Sequence, residues 1–200
     1  MTAIELSSYF GLVAMSLLTL NILLGLVMSV RYNPVRNWPH RRINTFKLHN
    51  WTAYIALTIA AIHPTIILFS STAKFSLIDI VYPVNAPKQP WINVLGALAL
   101  YSLGFVVLTS YFRRELGRKT WKTLHFTAYA TAALFFIHGI FTDPTLKDAP
   151  IDYLDGEKVY VELCMLLVMV AVAFRIRWQL KQPPPRVHRP KPATSRRLLR

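Results

Sequence analysis

Residues 48–69 read LHNWTAYIALTIAAIHPTIILF, without a single aspartate, glutamate, lysine or arginine but with a histidine near each end of the half that precedes Pro64, His49 and His63. About 20 apolar residues suffice for a helix to cross the hydrocarbon of a bilayer, so this stretch reads as a membrane span. Scanning outward at the same length finds four more apolar stretches, residues 9–30, 91–112, 124–141 and 159–174. The last two are short, and flanking residues whose charged heads reach the interface, such as Arg175, extend them. A chain that is 54% hydrophobic and only 16% charged is too apolar for an ordinary soluble domain of this size. The fold class expected is all-α, an integral membrane bundle of about five transmembrane helices in one domain, residues 1–181. Residues 182–200 (QPPPRVHRPKPATSRRLLR) are basic and proline-rich without apolar periodicity, and read as a disordered tail attracted to anionic lipid.

A net charge of +14 raises the possibility of nucleic acid, but the charge is laid out for a membrane. Residues 31–47 hold five basic residues and no acid, residues 113–122 five basics with Glu115, and the chain from Arg175 onward nine basics. The intervening connections differ: residues 71–90 are nearly neutral, and residues 142–158 carry Asp143, Asp148, Asp152, Asp155 and Glu157 against two lysines. Basic and non-basic connections alternate without exception, as the excess of Lys and Arg on cytoplasmic loops requires. The amino end is thereby placed outside and the carboxyl end in the cytoplasm of a plasma (inner) membrane protein, with lipid and not nucleic acid as its surroundings. The first helix reads as retained, since Glu5 stands where a signal peptide would be basic and no small-residue cleavage site follows. Trp38, Trp121 and Trp178 fall at the inner boundary and Trp91 at the outer one, where interfacial placement explains them. Residues 75–84 (FSLIDIVYPV) are too short to span and are expected as a short helix or reentrant segment on the outer face. Cys164, the single cysteine, rules out an intrachain disulfide and a cysteine metal cluster, and reads as a small apolar residue.

Of the six histidines, His40 and His188 lie in basic polar stretches and carry no chemistry in this reading. The other four, His49, His63, His125 and His138, form two pairs on two spans, and ionisable groups within a span mark function by default. With five spans, the second and fourth run in the same direction, so His49 and His125 share the inner half and His63 and His138 the outer half. Intervals of 14 and 13 residues put the two levels roughly 20 Å apart at 1.5 Å per residue. One imidazole from each of two facing helices, at two depths, is what two bis-histidine haems need as axial ligands. Helical phase fits unevenly: 14 residues return to within roughly 40° of the starting face, whereas 13 end about 140° away. Pro64 is expected to bend the second span near the outer pair. Gly139 and the alanines at 53, 56, 60, 61, 128, 130, 132 and 133 leave room for a planar ligand or serve ordinary helix packing.

Residues 116–138, LGRKTWKTLHFTAYATAALFFIH, with KLHNW around His49, AIHPT around His63 and the outer SLIDIVYP, resemble the ferric-reductase-like transmembrane domain. That family includes iron reductases, NADPH oxidases and the haem-binding membrane subunit of bacterial sulfoxide reductase systems, and the likeness covers residues 42–177. It implies a b-type cytochrome holding two haem b groups, with His49, His125, His63 and His138 as axial ligands of the iron. Its electrons would pass from a cytoplasmic flavin-containing donor to an outer-face acceptor such as ferric iron or a partner reductase. Full-length reductases continue into flavin and nicotinamide domains, whereas no glycine-rich phosphate loop occurs here, so the chain reads as the membrane electron-transfer subunit of an oxidoreductase. Arg42, Lys47 and Lys122 are cations available to inner haem propionates. Two rival classes stay open on the residues alone: a histidine-based metal or proton transporter, and a non-catalytic membrane partner subunit.

Overall fold

The structure, a computed structural model, describes residues 1–30, 44–147, 150 and 152–182. The expected tail, His40, His188, Trp38 and Arg42 lie outside the described residues, apart from Gln182 at the start of the tail. All regular structure among the described residues is helical: α1 (Ala3–Ser29), α2 (Thr45–Ile66), α3 (Leu77–Val81), α4 (Pro90–Tyr111), α5 (Arg113–Leu116), α6 (Arg118–His125), α7 (Thr127–Phe141) and α8 (Gly156–Leu180). Five segments are long and apolar enough to cross a membrane: α1, residues 45–69, α4, residues 118–141 and α8. The two short apolar stretches are lengthened by flanking polar residues, as their composition requires.

Polar caps start the spans. Thr2 and Glu5 exchange bonds across the first turn of α1, at 3.2 Å and 2.8 Å, and the Asn44 side chain accepts the Lys47 N–H at 3.1 Å to begin α2. Ahead of α4, Gln89 adopts the left-handed conformation (φ 45°) and Pro90 occupies the first helical position. The Gln89 amide pairs with the backbone of Asp143, accepting its N–H at 2.9 Å and donating to its carbonyl at 3.1 Å. That pairing ties the start of α4 to the end of α7. The outer segment expected from residues 75–84 is the short helix α3 followed by a tight turn at Pro83–Asn85. Its cap is Ser76, whose N–H and hydroxyl both bond Asp79 and hold that carboxyl below the usual range.

Two seams hold the bundle. Ala14, Leu18, Ala56, Ala60 and Leu103 join α1, α2 and α4, while Met15, Ala132, Phe136, Val161 and Val168 join α1, α7 and α8, with Cys164 packed at their edge. The buried alanines at 56, 60 and 132 thus serve close helix approach, and Ala61, Ala130 and Ala133 face outward. Gly139 likewise serves packing, since a Cβ there would lie 3.1 Å from Val161 and 3.2 Å from Met15. Only 28% of the apolar stretch of α1 and 11% of that of α8 is covered by protein, and Leu163, Leu166, Leu167 and Phe174 point outward. Helices apolar all round need a hydrocarbon solvent.

One departure from regularity bears on the site. The fourth span is two helices, interrupted at Phe126 directly after His125. There the backbone tightens to bonds three residues apart, Phe126 N–H to Thr123 O at 3.3 Å and Tyr129 N–H to Phe126 O at 3.1 Å. A tightened turn advances about 120° per residue instead of about 100°. Each such residue moves the 13-residue interval from His125 to His138 by about 20° toward a whole number of turns, which narrows the phase conflict of a uniform helix without closing it.

Candidate functional site

The structure sets His49 and His125 ring to ring and places His63 and His138 on one cavity. His49 and His125 face each other with ring centres 6.3 Å apart and planes at 72°. His63 and His138 line one cavity of about 1280 Å³, its mouth included, into which α1, α2, α4, α7 and α8 all contribute.

Each ring is held through Nδ1. His49 lies 3.0 Å from the Asn21 carbonyl, His63 2.7 Å from the Ser7 carbonyl, and His138 2.8 Å from the Ile92 carbonyl. A carbonyl only accepts, so Nδ1 carries the proton in all three and donates it, leaving the Nε2 lone pair unused. Two of these contacts are reciprocal. The Ser7 hydroxyl returns a bond to the His63 carbonyl at 2.8 Å, and the Asn21 amide returns one to the His49 carbonyl at 2.5 Å and a second to Thr52 at 2.8 Å. His125 differs: its Nδ1 stands 3.1 Å from the Ser110 hydroxyl, which also accepts the Trp121 indole N–H at 3.3 Å. The Trp121 ring lies 5.2 Å from the His125 ring at a tilt of 32°. Trp121 therefore braces the site as well as standing near the interface, a role its position in the sequence did not reveal.

Glycine makes the approach possible. A Cβ on Gly11 would lie 3.1 Å from the His63 ring, one on Gly25 3.3 Å from the His49 ring, and one on Gly96 2.7 Å from the His138 ring. At the His63 level, Lys158 is buried at 5% exposure, lines the cavity, and donates to the Gly139 and Thr142 carbonyls, so that it caps the end of α7 just beyond His138. Ser8 on α1 donates to Glu157 on α8 at 2.8 Å along the same cavity. At the His49 level, Arg113 lies 4.4 Å over the Phe46 ring and joins α5 to α2. Lys47 and Lys122 are exposed near this end. Sequence reasoning missed the glycines, Ser7, Asn21, Ser110 and Lys158. The 14-residue step from Gly11 to Gly25, equal to that from His49 to His63, was the available signal.

The spacing of the His49–His125 pair can be set against that of two imidazoles on one metal. Metal–nitrogen bonds of about 2 Å on either side of a metal leave two coaxial imidazole centres roughly 6 Å apart, the separation found between His49 and His125. Among the described residues no group of three His, Cys, Asp or Glu is placed to hold a metal ion. A bare transition metal lacks its usual ligand count here, whereas an iron that arrives with four equatorial nitrogens lacks only two.

No curated protein and no solved structure matches the chain. The family model for ferric reductase-like transmembrane components does match, over residues 10–136. The match takes in α1 as well as His49, His63 and His125, and ends two residues before His138, so its start lies earlier than the likeness read over residues 42–177. A match over more than half the chain, on a bundle of five apolar helices, makes this protein a member of the ferric reductase-like transmembrane component family.

Proposed function

We propose that the chain is a di-haem b-type membrane cytochrome, with His49 and His125 as axial ligands of the inner haem and His63 and His138 of the outer one. The observation that carries this reading is the pairing of imidazoles, three of which engage their Nδ1–H with a backbone carbonyl and leave Nε2 free, the arrangement in which a ligating histidine is normally fixed by its second nitrogen. Haem, when bound, supplies reversible one-electron chemistry. The protein's own part is to fix two rings per level, to bury the outer level among apolar walls from five helices, and to keep Lys158 as the one lysine or arginine lining that cavity. Asp79, Asp143 and Glu157 line the same cavity, so Lys158 offsets part of their negative charge, and the helix end it caps keeps His138 in place.

In this reading electrons enter from a cytoplasmic flavin-containing donor and leave to an outer-face acceptor such as ferric iron or a partner reductase. Because both axial positions are filled by histidine, transfer at the outer face is outer-sphere. The membrane is the plasma (inner) membrane, the domain spans residues 1–181, and residues 182–200 form a basic cytoplasmic tail. No observation favours the transporter or the non-catalytic partner, and among the described residues no group of three ligating side chains supports a bare-metal path.

The deciding experiment is an absorption spectrum with cofactor extraction. Purified protein is expected to show a low-spin b-type spectrum with two haems per chain, all removable by acid acetone, since Cys164 alone offers no covalent attachment. A colourless protein, metal without porphyrin, or haem that resists extraction would refute it. Orientation has its own check, in single cysteines placed on a Cys164→Ser background and treated with an impermeant reagent. Residues 143–158 should label in intact cells and residues 186–200 only after lysis; the reverse pattern would invert the direction of electron flow.

A further inference from the structure

The contacts that hold three of the four rings repeat with one geometry. On α1 the accepting carbonyls belong to Ser7 and Asn21, and the glycines under the rings, Gly11 and Gly25, each follow four residues later. On α4 the carbonyl belongs to Ile92 and the glycine is Gly96, again four residues on. The spacing has a cause. A helical carbonyl points toward the residue four positions ahead, so a side chain there screens it from the flank and a glycine uncovers it. Fourteen residues beyond Gly96, the step that separates Gly11 from Gly25, stands Ser110, and Ser110 is what His125 meets. α1 thus carries the device twice and α4 once, with Ser110 standing at the fourth position, where the glycine would be.

We infer that Gly11, Gly25, Gly96 and Ser110 are four versions of one positioning seat, and that the serine version sets the inner level apart from the outer. This rests on the di-haem reading and extends it to residues that touch no iron. A seat does two things: it aims Nε2 across the bundle, and its acceptor raises the basicity of the ring by drawing on the Nδ1 proton. The Ser110 hydroxyl already accepts from Trp121, so it has less acceptor strength to give His125 than an uncovered carbonyl gives the other rings.

The test is a set of substitutions on the full chain in nanodiscs. Gly96→Ala, where a Cβ would fall 2.7 Å from the His138 ring, should weaken haem retention at the outer level by about 10–100-fold, the usual cost of disturbing the second shell of a metal ligand. Gly11→Ala should disturb the same level less and Gly25→Ala the inner level least, following contacts of 3.1 Å and 3.3 Å. Gly104→Ala, on the same helix as Gly96 with nothing within 4 Å of its Cβ, should change neither level. Alanine is the better helix former, so a merely structural glycine would show the opposite trend. Ser110→Ala, which removes the acceptor without adding bulk, should move the inner midpoint potential upward and leave the outer one in place. Ring nitrogen NMR shifts of dithionite-reduced protein should show Nδ1 protonated in all four histidines, with the His138 signature altered by Gly96→Ala. Variants that keep both haems, both midpoints and those shifts would overturn the seats. Should the wild-type chain carry no haem, the di-haem reading fails, while the same ring shifts in the haem-free protein still decide whether the seats exist.

Discussion

Replacing His138 by alanine should strip the outer level of its haem and leave the spectrum of the inner one intact. About half of the bound haem should be lost, because a low-spin iron needs an imidazole on both axial sites and no other described side chain of a ligating kind is grouped with His63. His63→Ala should give the same result from the opposite helix. His49→Ala and His125→Ala should instead empty the inner level, where the two rings face each other at 6.3 Å. The pattern of loss is as informative as its size. If His49→Ala removed the spectral component that His138→Ala removes, the levels would be cross-paired and the parallel arrangement of the two histidine spans would be wrong. Redox-resolved absorption of the four single variants, with haem quantified per chain, reads all of these outcomes.

Purified protein should be reduced by dithionite within mixing time but not appreciably by NADH or NADPH alone, an expected difference of several orders of magnitude in rate. Hydride chemistry needs a cofactor cradle that the sequence lacks, since no glycine-rich phosphate loop occurs in it. Adding a soluble flavin reductase should restore reduction. Its rate should fall as salt rises, because the connections assigned to the inner face hold 19 lysines and arginines against Glu115, and an acidic donor is drawn to such a face. Rapid reduction by NADPH in a preparation free of flavin and of other proteins would refute the claim that this chain is the membrane half of an electron path.

The spans were legible because hydrocarbon imposes a length and tolerates few charges, and the pairing followed from it, since two histidines on each of two parallel helices leave one simple match. The local geometry that makes the pairing work was not. No proline or glycine stands beside Phe126 to announce a break, and the interruption after His125 shows only in backbone bonds shifted by one residue. Gly11, Gly25 and Gly96 looked like any small residues in a membrane helix, where such residues are common. Only the structure separates them from Gly139 and from Ala56, whose smallness serves helix packing. Lys158 was counted as one charge of an acidic loop, yet its ammonium turns inward onto carbonyls of α7. Trp121 was placed by its nearness to the interface, a rule that is silent on what the other edge of the indole touches.

The reciprocal contacts of α1 have one more consequence. Ser7 with His63 and Asn21 with His49 engage the same neighbouring helix at two points, each bonded in both directions. The interval between them works as a ruler of fixed length. One residue added to or deleted from it would rotate one end by about 100° relative to the other and disengage one mark whenever the other is read. Membranes of different thickness call for longer or shorter helices, and α1 has no freedom to answer between positions 7 and 25. Any accommodation in this helix falls to its overhangs, the first turn under the Thr2 cap and the last turn near Ser29.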